Sequence, residues 1–179
     1  SVCRGFFERV AKETRLVFKD QMPLVLCGPG MAREQFEAHL RGQGAQNQIL
    51  NAATSIGGRP AANEVLAEGL ADSVLGEHAL VQQIRAIEEG LKRISTGGAV
   101  SYGPTEIAEA AEQGAVETLV IDASMLRSAD SEAREHWAGI ASVVESSGGN
   151  LIQASVDHDS GQHLLGFGGA IALLRWKTE

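Results

Sequence analysis

Apolar residues recur along this 179-residue chain with two alternating periods. Short apolar runs read as strands, and apolar positions three and four apart between them read as amphipathic helices. The stretch Gly97 to Arg127 shows this most clearly. Ala99 to Tyr102 reads as a short strand after a Gly-Gly break. Pro104 then stands where a first helical residue is expected, since its missing N–H has no helical partner there. Ile107, Ala110 and Ala111 give the following helix one apolar face. Gly114 reads as its C-terminal stop, where glycine accepts a left-handed backbone cheaply. Val116, Leu119, Val120 and Ile121 form a run too apolar for a surface strand. Such a run predicts burial on both faces, as in a parallel sheet covered by helices. The β-α-β unit is expected to be a right-handed crossover.

The pattern continues on both sides. Phe6, Phe7, Val10 and Ala11 fit one face of an opening helix, and Thr14 to Gln21 fits helix or loop equally. Leu24 to Cys27 reads as a buried strand, turned by Gly28-Pro29-Gly30 into a helix with Phe36 and Leu40 inward. Gly42 and Gly44 end that helix, and Gln48 to Ala53 is a second strand. Ser55 to Pro60 forms another strand-to-helix turn, followed by a stripe of Val65, Leu66, Gly69 and Leu70 reaching Leu75. Gly76 is the predicted boundary between two domains, 1–76 and 77–179. A helix over 77–95 is expected to bury Leu80, Val81, Ile84, Ile87, Leu91 and Ile94. Beyond Arg127, Asp130 or Ser131 caps a long helix with Ala133, Trp137, Ile140, Ala141 and Val144 inward, stopped by Gly148-Gly149. Leu151 to Ala154 is a strand, Ser160 to Leu165 a short helix, and Ala170 to Trp176 the closing strand. The second part therefore holds about four strands and four helices. Strands alternating with helices make the fold class α/β, with parallel pairing expected.

Composition narrows the function classes. No apolar run reaches the ~18 residues of a membrane span. The opening SVCRGFF lacks the basic and apolar regions of a signal peptide. It also lacks an initiator Met, as expected of a fragment. Cys3 and Cys27 give neither a disulfide framework nor a metal spacing, which is expected of a reducing compartment, and Cys27 reads as a buried core thiol. Residues 1–76 carry eight basic and eight acidic side chains, whereas 77–179 carry seven and fifteen, and so the entire formal charge of −8. Nucleic-acid affinity rests mainly on Lys and Arg contacts to phosphate, so the second part reads as a protein-binding surface. Four of the fifteen basic residues are Lys. An acidic, Arg-rich surface suits a high-salt cytoplasm, and GC-rich coding gives the same ratio.

Candidate chemistry is sparse. The turn at Gly28-Pro29-Gly30 opens a helix but lacks a nucleotide-binding spacing. Gly57-Gly58-Arg59 offers backbone amides and a guanidinium to an RNA phosphate, against a plain structural turn. Asp157, His158, Asp159 and His163 cluster in seven residues, yet the two histidines are five apart and do not share a helix face. No nucleophile-base arrangement is visible, and pairs such as Glu88-Glu89 read as solvated surface charge. No catalytic or metal-binding residue is expected in this chain.

Two motifs carry a family resemblance. YGPTEIAEAAEQGAVETLVIDASMLR, residues 102–127, resembles the signature of the C-terminal domain shared by Pelota and the archaeal and eukaryotic class I peptide chain release factors. HDSGQHLLGFGGAIALLRW, residues 158–176, resembles the last helix and strand of that domain. The resemblance runs from about Phe6 to Trp176. It implies that 1–76 is the later part of a central RNase H-like domain lacking its first strands. Residues 77–179 are then an α/β sandwich similar to kink-turn-binding ribosomal proteins. The family's N-terminal domain is expected to lie outside this sequence. Within the family, release factors hydrolyse peptidyl-tRNA through a Gly-Gly-Gln loop, and the Pelota branch rescues stalled ribosomes in mRNA surveillance of the no-go type. The loop falls in a segment this sequence lacks, so Gly57-Gly58-Arg59 is not it. The Ser55 to Arg59 turn, and the passage from Met125 to Trp137 without a cysteine-bearing insertion, resemble the Pelota branch. The alternative is translation termination. A third reading, a divalent-metal endoribonuclease, belongs to the missing N-terminal domain, so no cofactor is expected in this stretch.

The resemblance also implies partners. The C-terminal domain docks on a translational GTPase, the elongation factor 1-alpha homologue, and an ABC-type recycling ATPase later takes its place on the stalled ribosome. Phe167, Gly168 and Gly169 match the corner that helps form the GTPase surface in the release-factor branch. An apolar ring beside two glycines suits such a contact, while a core Phe followed by a turn is the plain alternative. A cytoplasmic monomer without membrane attachment is expected.

Overall fold

The computed structural model describes residues 2–18 and 22–178, with the side chains of Val2 and Cys3 outside that description. Both the end of the ambiguous Thr14 to Gln21 stretch and the Cys3 thiol thus lie beyond the described residues. The chain divides into two compact units, 1–78 and 79–179.

In the first unit, α1 (Val2–Val17) precedes β1 (Leu24–Gly28), α2 (Ala32–Gly42), β2 (Ile49–Ala53) and α3 (Arg59–Ala67). β1 and β2 pair in parallel, Leu24 opposite Ile49 through Gly28 opposite Ala53. Side chains alternate across this two-stranded sheet, as strand geometry dictates. Leu24 and Ile49 pack with Ala11, Phe36 and Leu40 of α1 and α2. Val25, Cys27, Leu50 and Ala52 pack instead with Val65 of α3 and with Ala71. Two expectations change here. Cys27 is half-buried rather than fully buried, because a sheet of two strands covers it incompletely. Leu66 and Leu70 are exposed, because α3 ends at Ala67 and the chain turns at Gly69 before the stripe continues through Ala71 and Val74.

Gly76 does not interrupt the chain. It lies inside α4 (Asp72–Thr96), a helix of 25 residues. Leu80 and Val81, expected inward, are exposed, while Ile87 is fully buried and Leu91 and Ile94 pack beside it.

The second unit is built on β3 (Val100–Tyr102), β4 (Val116–Asp122), β5 (Asn150–Ala154) and β6 (Ala170–Leu174). The helices α5 (Pro104–Glu112), α6 (Ser131–Ser146) and α7 (Asp159–Gly166) connect them, with a short 3-10 turn at Met125–Arg127. The sheet order is β3-β6-β4-β5. β4 and β5 are parallel, whereas β6 is antiparallel to both β3 and β4. The sheet is therefore mixed, which corrects the expectation of purely parallel pairing. The last strand in the sequence inserts between β3 and β4, so the two strands of the predicted β-α-β unit are not neighbours. β6 also ends at Leu174, two residues earlier than expected, and leaves Trp176 exposed.

Burial on both faces is as the sequence predicts. Ala170, Ala172 and Leu174 of β6 join Leu119 and Ile121 of β4 against Ile107, Ala110, Trp137, Ile140 and Val144 of α5 and α6. Ile171, Leu173 and Val120 face Ile87 of α4 and Leu164 of α7. Asp130 caps α6, its carboxylate accepting from the N–H groups of Glu132 and Ala133. Gly114 ends α5 with φ +66°, the left-handed stop expected from its position. Full burial of a Leu or Ile contributes ~1.5–3 kcal/mol. The nine largest fully buried side chains among the described residues all belong to the second unit.

Candidate docking surface

The corner Phe167-Gly168-Gly169 joins α7 to β6. α7 is placed by its own first turn, where His158 Nδ1 accepts from the Gly161 N–H at 3.1 Å. The other ring nitrogen, Nε2, is buried without a partner among the described residues. Asp157 accepts from the Ser155 hydroxyl at 2.7 Å, closing the preceding turn. Among the described residues, no three His, Cys, Asp or Glu side chains come together as metal ligands. Asp157, His158 and Asp159 form the start of α7, with His158 as its cap, while His163 stands in its last turn.

At the far end of α7, the N–H groups of Phe167 and Gly169 both donate to Leu164 O, at 3.1 and 3.0 Å. The chain then reverses, and Gly169 O accepts from the Asp122 N–H at 2.7 Å, which pins the corner to the end of β4. Gly169 has φ +83°, and a Cβ there would stand 2.5 Å from Met125 Sδ. The backbone therefore favours glycine, and a Cβ would also displace the flexible Met125 side chain. Gly168 is exposed and Gly169 buried. Phe167 is half-buried, packed against the Ile87–Ile171 cluster on one side. Its ring meets Tyr102 edge-on, with centroids 5.5 Å apart and planes at 68°. Phe167 thus divides its surface between core and solvent. Sequence reasoning missed Tyr102, which is 49% exposed at the end of β3. Its signal is a large aromatic placed last in a strand, immediately before Gly103-Pro104.

The second candidate lies in the first unit. Gly57, Gly58 and Arg59 are exposed, and Arg59 begins α3 with Gly58 as its N-cap and Pro60 in the first turn. Glu64 closes the turn, accepting from the Ser55 N–H and hydroxyl at 2.8 Å each. A carboxylate beside the turn opposes an anion there. The same unit carries an apolar groove of about 420 Å³, lined by Val25, Leu26, Cys27 and Gly28 of β1 with Phe6, Phe7 and Phe36 among its walls. Among the described residues β1 pairs with β2 alone, so its other edge is open there.

Residues 80–178 match the family described as eRF1 domain 3, and the chain belongs to that family. Its relatives include Pelota homologues. The homologue of Methanoculleus marisnigri is 34% identical over 159 residues, covering 88% of this chain and 45% of the relative. That of Pyrococcus furiosus is 32% identical over 180 residues, covering 98% of this chain and 50% of the relative. A solved structure of ribosome-bound archaeal Pelota and ABCE1 superposes with a TM-score of 0.68 at 30% identity, covering 98% of this chain and 50% of that one. The chain thus spans about half the length of the curated relatives it matches.

Proposed function

We propose that this chain is the partner-binding half of a Pelota-type ribosome-rescue factor, acting in mRNA surveillance with a translational GTPase and an ABC-type ATPase. The carrying observation is similarity to Pelota homologues along 98% of the chain, through both units. The likeness to a Pelota bound to the ribosome with ABCE1 supports ATPase and ribosome as partners, and with them a cytoplasmic site of action. In this reading, residues 1–76 belong to a central RNase H-like domain. The open β1 edge and the apolar groove beside it favour this, because both leave room for further strands and helices. Residues 77–179 form the C-terminal domain, related to kink-turn-binding ribosomal proteins. The elongation factor 1-alpha homologue docks at Phe167, Gly168 and Gly169, where an aromatic ring stands half out of the core beside an exposed glycine. Gly57, Gly58 and Arg59 serve as a minor contact to ribosomal RNA phosphate, with Glu64 limiting its strength. The chain acts as a monomer and binds without catalysing.

The test uses the full-length protein with its GTPase, the ATPase, GTP and ATP. Archaeal ribosomes are stalled on an mRNA without a stop codon, and a parallel set on a stop codon. The expected result is subunit separation on the stalled set with peptidyl-tRNA intact. Peptide release on the stop-codon set supports translation termination instead. Metal-dependent RNA cleavage by residues 1–179, lost in Asp157→Ala or His158→Ala, would overturn the non-catalytic reading.

A further inference from the structure

We propose that the outer edge of β5 receives an extended segment of another protein, which adds to the four-stranded sheet as one more strand. This surface is separate from the Phe167 corner and does not depend on the docking reading above. In the order β3-β6-β4-β5, β5 stands at the edge. Its inner side shows which of its main-chain groups face outward. Ala154 O accepts from the Ala123 N–H at 3.0 Å, so Ala154 turns its groups toward β4. Main-chain groups alternate sides along a strand, so Asn150 and Ile152 also face β4, while Leu151, Gln153 and Ser155 face away. The Ser155 N–H is taken by Gln83 Oε1 of α4 at 3.0 Å, which closes that end. Among the described residues, nothing bonds to the outward groups of Leu151 and Gln153. Sheet edges are ordinarily blunted by charge, proline, a bulge or shortness. The opposite edge, β3, has only three residues. β5 has five, with neither charge nor proline, and pairs with β4 in unbroken register.

The side chains of an added strand alternate between the two faces of the sheet. On the α4 face, a groove of about 500 Å³ lies beside β5, lined by apolar Ala86, Ile152 and Leu173 and by polar Gln82, Thr118 and Asn150. Arg85 also lines it and already has a partner of its own, so the groove suits an uncharged side chain. Asp157 lies just past the C-terminal end of β5, where its carboxylate accepts from the Ser155 hydroxyl at 2.7 Å. Among the described residues it has no cationic partner. The occupant is therefore an extended segment with apolar residues at alternate positions and a Lys or Arg at the end beside Asp157. A second copy of this chain fits less well. Two five-residue strands fall short of the ~1,200–2,000 Å² of a stable interface, and each copy brings the net charge of −8 of residues 77–179.

The test titrates isotope-labelled residues 1–179 with a blocked peptide, Lys-Thr-Val-Thr-Val-Thr-Lys, and follows the backbone amide signals. A peptide with Glu at both ends and one with Pro in place of both Val are compared. The Lys-ended peptide is expected to shift the Leu151 and Gln153 signals and to slow their hydrogen exchange. The Pro peptide is expected to do neither. The Glu-ended peptide should bind about three- to fivefold more weakly at low salt, a gap that closes at high salt and in Asp157→Asn. Gln153→Pro deletes an outward donor at an edge position where proline is tolerated, and should weaken binding about three- to tenfold. Gln153→Ala keeps the main chain and should keep the affinity, each variant being checked by thermal melting. Should Gln153→Pro not fold, the Pro peptide puts the same question to the wild-type chain. No change at Leu151 and Gln153 with millimolar peptide, equal binding of the Pro peptide, or undiminished affinity in a folded Gln153→Pro overturns the proposal. A concentration-dependent dimer that protects β5 gives the edge to a second copy and overturns the choice of occupant.

Discussion

Arg93 reaches three elements from one position near the end of α4. Its Nε pairs with Glu89 at 2.7 Å, and one terminal nitrogen donates to Ala99 O and Leu174 O at 3.1 Å each. It therefore ties the helix to the entry of β3 and the exit of β6. Arg93→Met removes the guanidinium donor from both carbonyls, with Ala99 O keeping the Leu174 N–H, and is expected to cost ~1–3 kcal/mol, read as a lower urea midpoint at unchanged slope. The hydrogen bond from Arg93 holds the Glu89 carboxyl below the usual carboxylate range. A depressed folded value means that this stabilisation is present at neutral pH and is lost as pH falls through the acid range. Glu89→Gln should accordingly lower stability at neutral and higher pH, leave the acid limit in place, and so flatten the acid limb of the profile. At the corner, Gly169→Ala meets both a positive φ and the Met125 sulfur, so a loss of ~1–3 kcal/mol in thermal melting is expected. Phe167 is half core and half surface. Phe167→Ala should lower the melt by less than the ~3–5 kcal/mol of a fully buried Phe, and with it the affinity for the proposed GTPase partner.

Helix α4 is the element whose sequence misleads. A glycine between two apolar stretches reads as a break, yet Gly76 sits in an unbroken helix where a Cβ would meet nothing within 4 Å. Gly76→Ala is thus expected to stabilise by ~0.5–1 kcal/mol through helix propensity, a gain that a flexible linker would not show. Differential scanning calorimetry distinguishes the two. Other elements were legible because their punctuation was local and chemical. Pro104 and Gly114 bracket α5, and Asp130 caps α6, where Asp130→Ala should cost about 1 kcal/mol. Leu66 and Leu70 ahead of α4, and Leu80 and Val81 within it, are exposed against expectation for the opposite reason. Apolar periodicity marks a face, but does not say whether any neighbour covers it.

Across the whole chain, the sequence shows where strands lie and not which strands are neighbours. The runs at Val116 to Ile121 and Ala170 to Leu174 are both largely apolar, and nothing local places the second between β3 and β4. Likewise Phe167 is readable as a site candidate from its glycines, whereas its contact with Tyr102 appears only once β3 and β6 are paired. The two units should also differ in protection. The four-stranded sheet is covered on both faces, while the two-stranded one has an open edge and few fully buried large side chains. Hydrogen exchange is expected to be slower in β4 and β6 than in β1 and β2. Faster exchange in β6 than in β1 would contradict that ordering. The central place of β6 has a consequence for biosynthesis. β3, β4 and β5 leave the ribosome earlier, but β3 has no partner until residues 170–174 arrive, and β4 has β5 alone. The nascent second unit therefore waits with an apolar seam exposed and closes in one late step. A messenger cut anywhere before the codon for Ala170 would yield a product prone to aggregation and degradation instead of a weakened but folded domain.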